Sequence, residues 1–494
     1  MSESNFRVVV IGAGMAGILA AIKLLESDYD DIAIYEKADR IGGTWRENTY
    51  PGLTCDVPSH HYTYTFERNP EWTRHLPPGE EVQRYFERTT DKYQVDGLIR
   101  FNTEVERAEF HQGRWQLELS DGTSDCADAV IAATGVLHHP RIPHIGGMED
   151  FQGAMFHTAR WDHSVPLAGK RVGVIGMGST GVQIISELSA RGIDVSHFVR
   201  TPQWIMPTEN GYYSEEERAA FRADPELLNE AMDFEGYSAG VERYTQALTD
   251  PDSEGAKLMG RACRDNLEQS VLDPVLREKL RPDHEPLCKR LIFSPDYYQA
   301  IQRPNSSFVC EDIERIEAGG IRTIDGVLHR LDVIALATGF QADQFMRPMQ
   351  ISGRNGVDLE SLWAERPIAY KAIAMPDFPN FFMLNGPNGP VGNFSLIDIA
   401  EHQWDYIAQL MARLRSGEYS EVSPTYTAMQ AFDDARVEAA KHTIWYTGGC
   451  QSWYLDAAGI PASWPWNYSR FVDEMREPRW EDFDLVKAYP ASAA

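Results

Sequence analysis

The chain is poor in cysteine, in basic charge and in long apolar runs, and each shortage removes a class of function. Six cysteines are spread over 494 residues, at Cys55, Cys126, Cys263, Cys288, Cys310 and Cys450. None falls in a CxxC or CxxxxC pair, which argues against both a thiolate metal site and the redox dithiol of a disulfide reductase. So sparse a set predicts a reducing compartment, the cytoplasm, and no disulfide framework. No apolar run approaches the ~20 residues needed to cross a bilayer. The run Val8 to Ile11 reads instead as a buried strand, and Met1-Ser2-Glu3-Ser4-Asn5 lacks the basic start of a secretory leader. Basic residues number 46 against 74 acidic ones, for a net charge of −28. Phosphate-rich partners are repelled by such a field, so neither nucleic acid nor an anionic membrane is expected. Low-complexity sequence is absent, and only the tail Ala491-Ser492-Ala493-Ala494 suggests disorder.

What the chain does have is two glycine-rich loops of one design. Phe6 to Ile11 is a β-branched run, as expected of a parallel strand covered on both faces. Gly12-Ala13-Gly14-Met15-Ala16-Gly17 follows at once, then a helical stretch Ile18 to Leu25, then a second strand Ile32 to Tyr35 ending at Glu36 and Lys37. The plan repeats with a strand over Arg171 to Ile175, the loop Gly176-Met177-Gly178-Ser179-Thr180-Gly181, a helix over Val182 to Leu188 and a strand over Val195 to Val199, ending at Arg200. Two further runs, Ala129 to Gly135 and Val333 to Gly339, each end in Ala-Thr-Gly and read as the chain leaving and re-entering a nucleotide domain. The fold class predicted is α/β: two Rossmann-like dinucleotide-binding domains with a helical insert. The boundaries expected are 1–140 and 341–494 for the first domain, 150–208 and 285–340 for the second, and 209–284 for an insert that covers the second domain as a lid.

The two loops differ where the ribose is read. In the first, Gly12 suits the tight turn, Gly14 the close approach of pyrophosphate, and Gly17 the packing of helix on strand, while Glu36 accepts ribose hydroxyls and repels a 2′-phosphate. That is an FAD site. In the second, Arg200 and Thr201 stand where an NAD site places an acid, and a guanidinium pairs bidentately with a 2′-phosphate. That favours NADPH. A surface arginine at a strand end is the alternative that the residues alone leave open.

Two longer stretches carry a family resemblance. Gly42-Gly43-Thr44-Trp45 continues to Tyr50-Pro51-Gly52-Leu53-Thr54-Cys55-Asp56, matching (A/G)GxWxxxx(F/Y)PGxxxD. Phe151 to Asp162 matches FxGxxxHxxxW(P/D), with His157 and Trp161 at its fixed positions. Together with the two loops, over Val8 to about Pro461, these resemble the type I Baeyer–Villiger monooxygenases. The resemblance implies FAD and NADPH as cofactors, and a small-molecule ketone and molecular oxygen as co-substrates. It implies conversion of the ketone to an ester or lactone through a C4a-peroxyflavin. Carried over by residue, it assigns Gly12, Gly14, Ala16, Gly17, Glu36 and Lys37 to the FAD loop. Gly43, Thr44, Trp45, Cys55, Asp56 and Tyr62 go to the flavin site, and Val105 to the adenine end. Gly176, Gly178, Ser179, Thr180, Gly181, Gln183, Arg200 and Thr201 form the NADP site. Lys289 then binds the 2′-phosphate, Arg290 sits over the flavin as catalytic residue with Asp56 holding it, His157 and Trp161 couple domain movement, and Trp453 lies on a mobile loop near the nicotinamide. From spacing alone Asp56 and Arg290 read as a structural ion pair at most, and Trp453, Trp204, Phe394 and Trp466 as core aromatics. The physical case for Arg290 is that a permanent cation favours an anionic oxygen nucleophile and the anionic adduct that follows.

The chain departs from the family pattern in Asp456 to Trp466, after the tryptophan loop, and in Asn385-Gly386-Pro387-Asn388-Gly389-Pro390, which is expected still to border the flavin. Gly146-Gly147 replaces a common Pro-Gly. Two rival readings stand beside the leading one: a flavin monooxygenase that oxygenates sulfur or nitrogen, such as a thioether, and a non-catalytic dinucleotide-binding protein. Oligomeric state is not legible in the sequence.

Overall fold

Two five-stranded parallel sheets of matching order carry the glycine loops. A computed structural model of the chain describes residues 6–488; the start Met1 to Asn5 and the tail Ala491 to Ala494 lie outside the described residues. In the first sheet, Val8–Ile11 is flanked by Ile32–Tyr35 on one side and Ala129–Ala132 on the other, with Ile99–Arg100 and Phe381–Met383 at the edges. In the second, Arg171–Ile175 is flanked by Asp194–Phe198 and Val333–Leu336, with Ser306–Val309 and Ala154–His157 outside them. In each sheet, then, the strand that ends in a glycine loop is central, and the strand that runs into Ala-Thr-Gly is its neighbour. Val8–Ile11, Ile32–Tyr35 and Ala129–Ala132 are buried throughout, the expected state of parallel strands with both faces covered. Two strands differ in their bounds from the apolar runs that announce them. The first begins at Val8 and not Phe6, and the fourth strand of the repeat spans Asp194–Phe198 and not Val195–Val199.

The helices after the loops run Met15–Glu26 and Ser179–Ala190, three residues earlier at the N-terminus than the apolar pattern marks, because the loop glycines themselves open the first turn. The third glycine of each loop is needed for contact: a Cβ on Gly17 would overlap the carbonyl oxygen of Gly12, and one on Gly181 that of Gly176. Gly12 is a different case. Its φ of +100° lies where side chains are rarely tolerated, and a Cβ would come 2.7 Å from the Ala133 carbonyl oxygen.

Five helices, Glu215–Ala223, Pro225–Met232, Phe234–Thr249, Glu254–Ser270 and Pro274–Leu280, fill the segment expected to be helical. They do not cover the second sheet alone. Val241 belongs to the core of the first sheet, whereas Ala247, Leu248, Cys263, Leu267 and Leu280 belong to that of the second. Glu242 also accepts hydrogen bonds from the backbone of Ser469 (2.8 Å) and Thr245 from that of Tyr468 (3.0 Å). The insert therefore bridges both halves.

One sequence expectation fails outright. Cys288 and Cys450, 162 residues apart, are joined in a disulfide with Cα atoms 6.0 Å apart, while Cys55, Cys126, Cys263 and Cys310 are free. Linear spacing carries no trace of a pair that only the tertiary fold brings together.

Candidate active site

A single cleft of about 610 Å³ runs between the two glycine loops. From the first half it is lined by Gly12, Gly14, Ala16, Glu36, Lys37, Gly43, Thr44, Trp45, Cys55, Asp56, Tyr62 and Val105. From the second it receives Gly178, Ser179, Thr180, Gln183, Lys289 and Arg290, and Trp453 reaches it from the C-terminal segment. Gly17, Gly176 and Gly181 stand behind the wall as packing positions, and Arg200 and Thr201 are not on the wall of this cleft.

The middle glycines show what the cleft is shaped for. A Cβ on Gly178 would meet nothing, and one on Gly14 would meet only Gly43, at 3.6 Å. No protein atom requires glycine there; a ligand pressed against the backbone would. Both helices also begin without a side-chain cap, which leaves first-turn N–H groups free for an anionic pyrophosphate. The residues present thus fit two dinucleotides.

Glu36 is buried at 4% exposure, and its carboxylate is already engaged. It accepts from the backbone N–H groups of Ala13 (2.8 Å) and Ala38 (2.9 Å) and pairs with Arg46 at 3.0 Å. The acid therefore also braces the loop from beneath. Arg46, buried and missed in the sequence, is the cation that makes a buried carboxylate tolerable.

Arg290 is the centre of the site. Its guanidinium donates to Asp56 at 2.7 Å and to the carbonyl of Gly392. Asp56 comes from the loop after the first glycine motif and Gly392 from a turn 102 residues beyond Arg290, a convergence that spacing does not announce. Burial works against the arginine's charge, but Asp56 more than offsets it, so the guanidinium's pKa lies above its ordinary range. The same burial pushes up the Cys55 thiol and the Tyr62 hydroxyl, keeping both neutral. Trp45 Nε1 donates to the Tyr62 hydroxyl at 3.1 Å.

Lys289 is pushed down by burial and by the neighbouring Arg200, with Asp283 opposing. Neither Lys289 nor Arg200 forms an ion pair among the described residues. Two neighbouring cations that no carboxylate pairs with directly can take up an anionic group. Across the cleft, Tyr50 donates to Gln183 Oε1 at 2.9 Å, Gln183 Nε2 donates to the Thr54 carbonyl at 3.0 Å, and Thr180 reaches the Tyr50 hydroxyl at 3.3 Å. These bonds join the first-half loop to the second-half helix. Tyr50 stands inside the motif that reaches Asp56, but nothing in its spacing marks it as the bridge to Gln183.

The motif Phe151 to Asp162 lies at the crossing between the halves. His157 Nδ1 accepts from the Ala159 N–H (3.1 Å), so its Nε2 carries the proton and donates to the Gly339 carbonyl (3.0 Å). Burial lowers its pKa, which keeps it neutral. Trp161 is buried against Phe156, 4.9 Å between ring centres. The crossing strands are tied by Arg141 N–H to the Gly339 carbonyl at 2.8 Å and Gln341 N–H to the His139 carbonyl at 2.9 Å.

Aromatic expectations divide. Trp204 is core, at 6% exposure, and Trp466 is partly buried against the core. Phe394 is buried yet also lines the cleft. Trp453 is not core: it is 43% exposed and stacks on Tyr454, which stacks on Trp445. Of the Asn385 to Pro390 turn, only Asn385 reaches the cleft. Asn388 is structural, accepting from the Ala369 N–H and donating to the Ala462 carbonyl.

Comparison with known proteins agrees with this geometry. Residues 9–214 match the family model described as pyridine nucleotide-disulphide oxidoreductase. An uncharacterised monooxygenase of Mycobacterium tuberculosis is 46% identical over 478 residues, 97% of this chain and 96% of that protein. A Baeyer–Villiger monooxygenase of Streptomyces coelicolor is 35% identical over 494 residues, covering 99% of this chain and 94% of its own length. The structure of a cyclohexanone monooxygenase from Rhodococcus sp. Phi1 bound to NADP+ superimposes with a TM-score of 0.86 at 29% identity, over 98% of this chain and 99% of that one. A cleft whose residues fit two dinucleotides, with a half-buried arginine on its wall and relatives of this kind along nearly the whole chain, marks the protein as belonging to the Baeyer–Villiger monooxygenase family.

Proposed function

We propose that the enzyme uses NADPH and oxygen to convert a small ketone to its ester or lactone, with Arg290 as the catalytic residue and Asp56 as its positioning partner. The observation that carries this is the Arg290–Asp56 pair, 2.7 Å long, facing the cleft between the two loops. FAD bound along Gly12 to Gly17 and NADPH along Gly178 to Gln183 supply hydride and oxygen activation; the protein supplies the field, the positions and the exclusion of water. Arg290 holds a fixed positive charge where negative charge develops on oxygen, and such preorganised stabilisation needs no rearrangement at the moment of reaction. Asp56 and the Gly392 carbonyl fix the guanidinium's plane. Lys289 and Arg200 bind the 2′-phosphate, and Glu36 reads the flavin ribose. His157, bonded to Gly339, relays the angle between the halves. The domain limits 1–140 with 341–494, 150–208 with 285–340, and 209–284 belong to the same proposal, as does a cytoplasmic location.

A substrate panel tests it. Incubation of the FAD-loaded enzyme with NADPH, air, a cyclic or aryl ketone and a thioether should give ester or lactone by mass analysis. Sulfoxide without any ester would overturn the ketone assignment in favour of heteroatom oxygenation.

A further inference from the structure

The chemistry above makes no use of the Cys288–Cys450 disulfide, yet both of its ends are rooted in the site. Cys288 directly precedes Lys289 and Arg290, and Cys450 directly precedes Gln451, Ser452 and Trp453, all of which line the cleft. Cys288 is fully buried and Cys450 is 9% exposed. The backbone N–H of Cys450 donates to Cys288 Sγ at 3.2 Å, and the N–H of Glu285 donates to the Gly448 carbonyl at 3.0 Å. Gly448 packs so closely on Cys288 that a Cβ there would stand 2.7 Å from the Cys288 Cβ. Beyond Cys450 the anchorage changes. Among the described residues, the backbone bonds of 451–460 run within the loop or to Ala462, as from the Leu455 N–H to the Ser452 carbonyl and from the Asp456 N–H to the Ile460 carbonyl. Tyr454 is the next fixed point, buried at 2% between Trp445 and Trp453, with its hydroxyl beside Gly392 and Arg290. The Trp453 arch is therefore held by the Tyr454 stack, by the Arg366–Asp456 ion pair farther along (3.9 Å), and by one covalent root, which alone is chained to the arginine segment.

We propose that Cys288 and Cys450 form a thiol–disulfide site that latches the root of the Trp453 arch to the Lys289–Arg290 segment when oxidised and frees it when reduced. Opening takes a dithiol. Its thiolate displaces one cysteine sulfur to give a mixed disulfide, and its second thiol then displaces the other, leaving two cysteine thiols and an oxidised dithiol. Closing takes hydrogen peroxide: one thiolate attacks the peroxide, water leaves, and the second thiolate displaces a second water, so two thiols and one peroxide become one disulfide and two waters. That the enzyme itself releases peroxide when oxygen transfer fails rests on the proposed function; the latch does not.

The test compares oxidised and dithiothreitol-reduced full-length, FAD-loaded enzyme, with Cys450→Ser and Cys288→Ala as controls. Thiol alkylation after denaturation should modify four cysteines in the oxidised protein, the four free ones, and all six after reduction. Limited proteolysis within 451–459 should quicken about tenfold on reduction, as expected when a segment loses an anchor. KM for NADPH should rise in step, and the share of NADPH ending as peroxide should grow. Peroxide should restore the wild type and leave both variants unchanged. Six alkylated cysteines after peroxide treatment, or equal proteolysis and equal KM in the two states, would overturn the latch. Redox-dependent proteolysis in a protein that makes no ester would instead sink the proposed function and keep the latch.

Discussion

Residue by residue, the site rests on two half-buried cations, Arg290 and Lys289, and on what faces them. Asp56 holds Arg290 from one side and a carbonyl from the other. Replacing Asp56 by asparagine keeps the shape and one acceptor but removes the charge, so oxygen transfer should fall while flavin reduction by NADPH continues. Stopped-flow absorbance separates the two steps. Lys289 makes a different prediction. Lys289→Ala should raise KM for NADPH about 10- to 100-fold, the worth of one charge-assisted contact, and leave KM for NADH little changed. Steady-state kinetics with both nucleotides check this, and equal losses with each would contradict the 2′-phosphate role. Much of this was legible in sequence, because a glycine loop and the charge that follows it lie on one short βαβ unit. The Arg290–Asp56 contact was not, since its partners are 234 residues apart, and only family resemblance joined them. Arg46 left no signal at all; an arginine ten residues after an acid is ordinary until the fold buries both.

At the scale of the element, the glycine loop, the helix it opens and the strand beside it form one packing unit. His197 in the second unit is fully buried, with Nε2 donating to the Gly176 carbonyl and Nδ1 accepting from the Tyr297 hydroxyl, both at 2.9 Å. It thus pins the carbonyl of the loop's first glycine. Gly181 stands against that carbonyl and comes 3.2 Å from His197 Nε2 with a Cβ added. Gly181→Ala should therefore cost about 1–3 kcal/mol as an overpacked core position and weaken NADP binding, with the FAD half retaining its flavin. Thermal melts with and without NADP+ test it, and an undisturbed NADP-induced shift would contradict it. Elements of this kind were read well from periodicity. In the helical insert the polar amphipathic pattern announces helices but does not say which surface they cover.

At the scale of the whole molecule, buried ionisable groups set the response to pH. Burial lowers His60, His61, His138 and His197 to about 4. Each titrates near 6.5 once unfolded, so the unfolded chain takes up protons first as pH falls. The stability tied to these neutral histidines is complete above 6.5 and drains away as pH falls toward 4. Glu401 acts with the opposite sign. Burial raises it to about 7 from 4.5, so its contribution is complete below 4.5 and is lost as pH rises through 7. Melting temperatures should accordingly fall on the acid side of 6.5, and Glu401→Gln should remove part of the decline toward 7. A midpoint independent of pH from 6.5 to 4.5 would contradict the buried-histidine assignment. The same scale explains the missed disulfide. Cysteine count and spacing describe neighbours along the chain, while Cys288 and Cys450 meet only because the C-terminal third folds back over the arginine segment.

In the proposed mechanism one guanidinium, held by Asp56, provides the charge for oxygen insertion, and replacing Arg290 by alanine removes that charge alone. Anaerobic mixing with NADPH should bleach the flavin of the variant as in the parent, and NADPH should still be consumed in air. Ester from the best ketone should drop at least about 10²- to 10³-fold, the usual loss when a preorganised electrostatic donor is removed. Ester formed by Arg290→Ala at the parental rate would contradict the account.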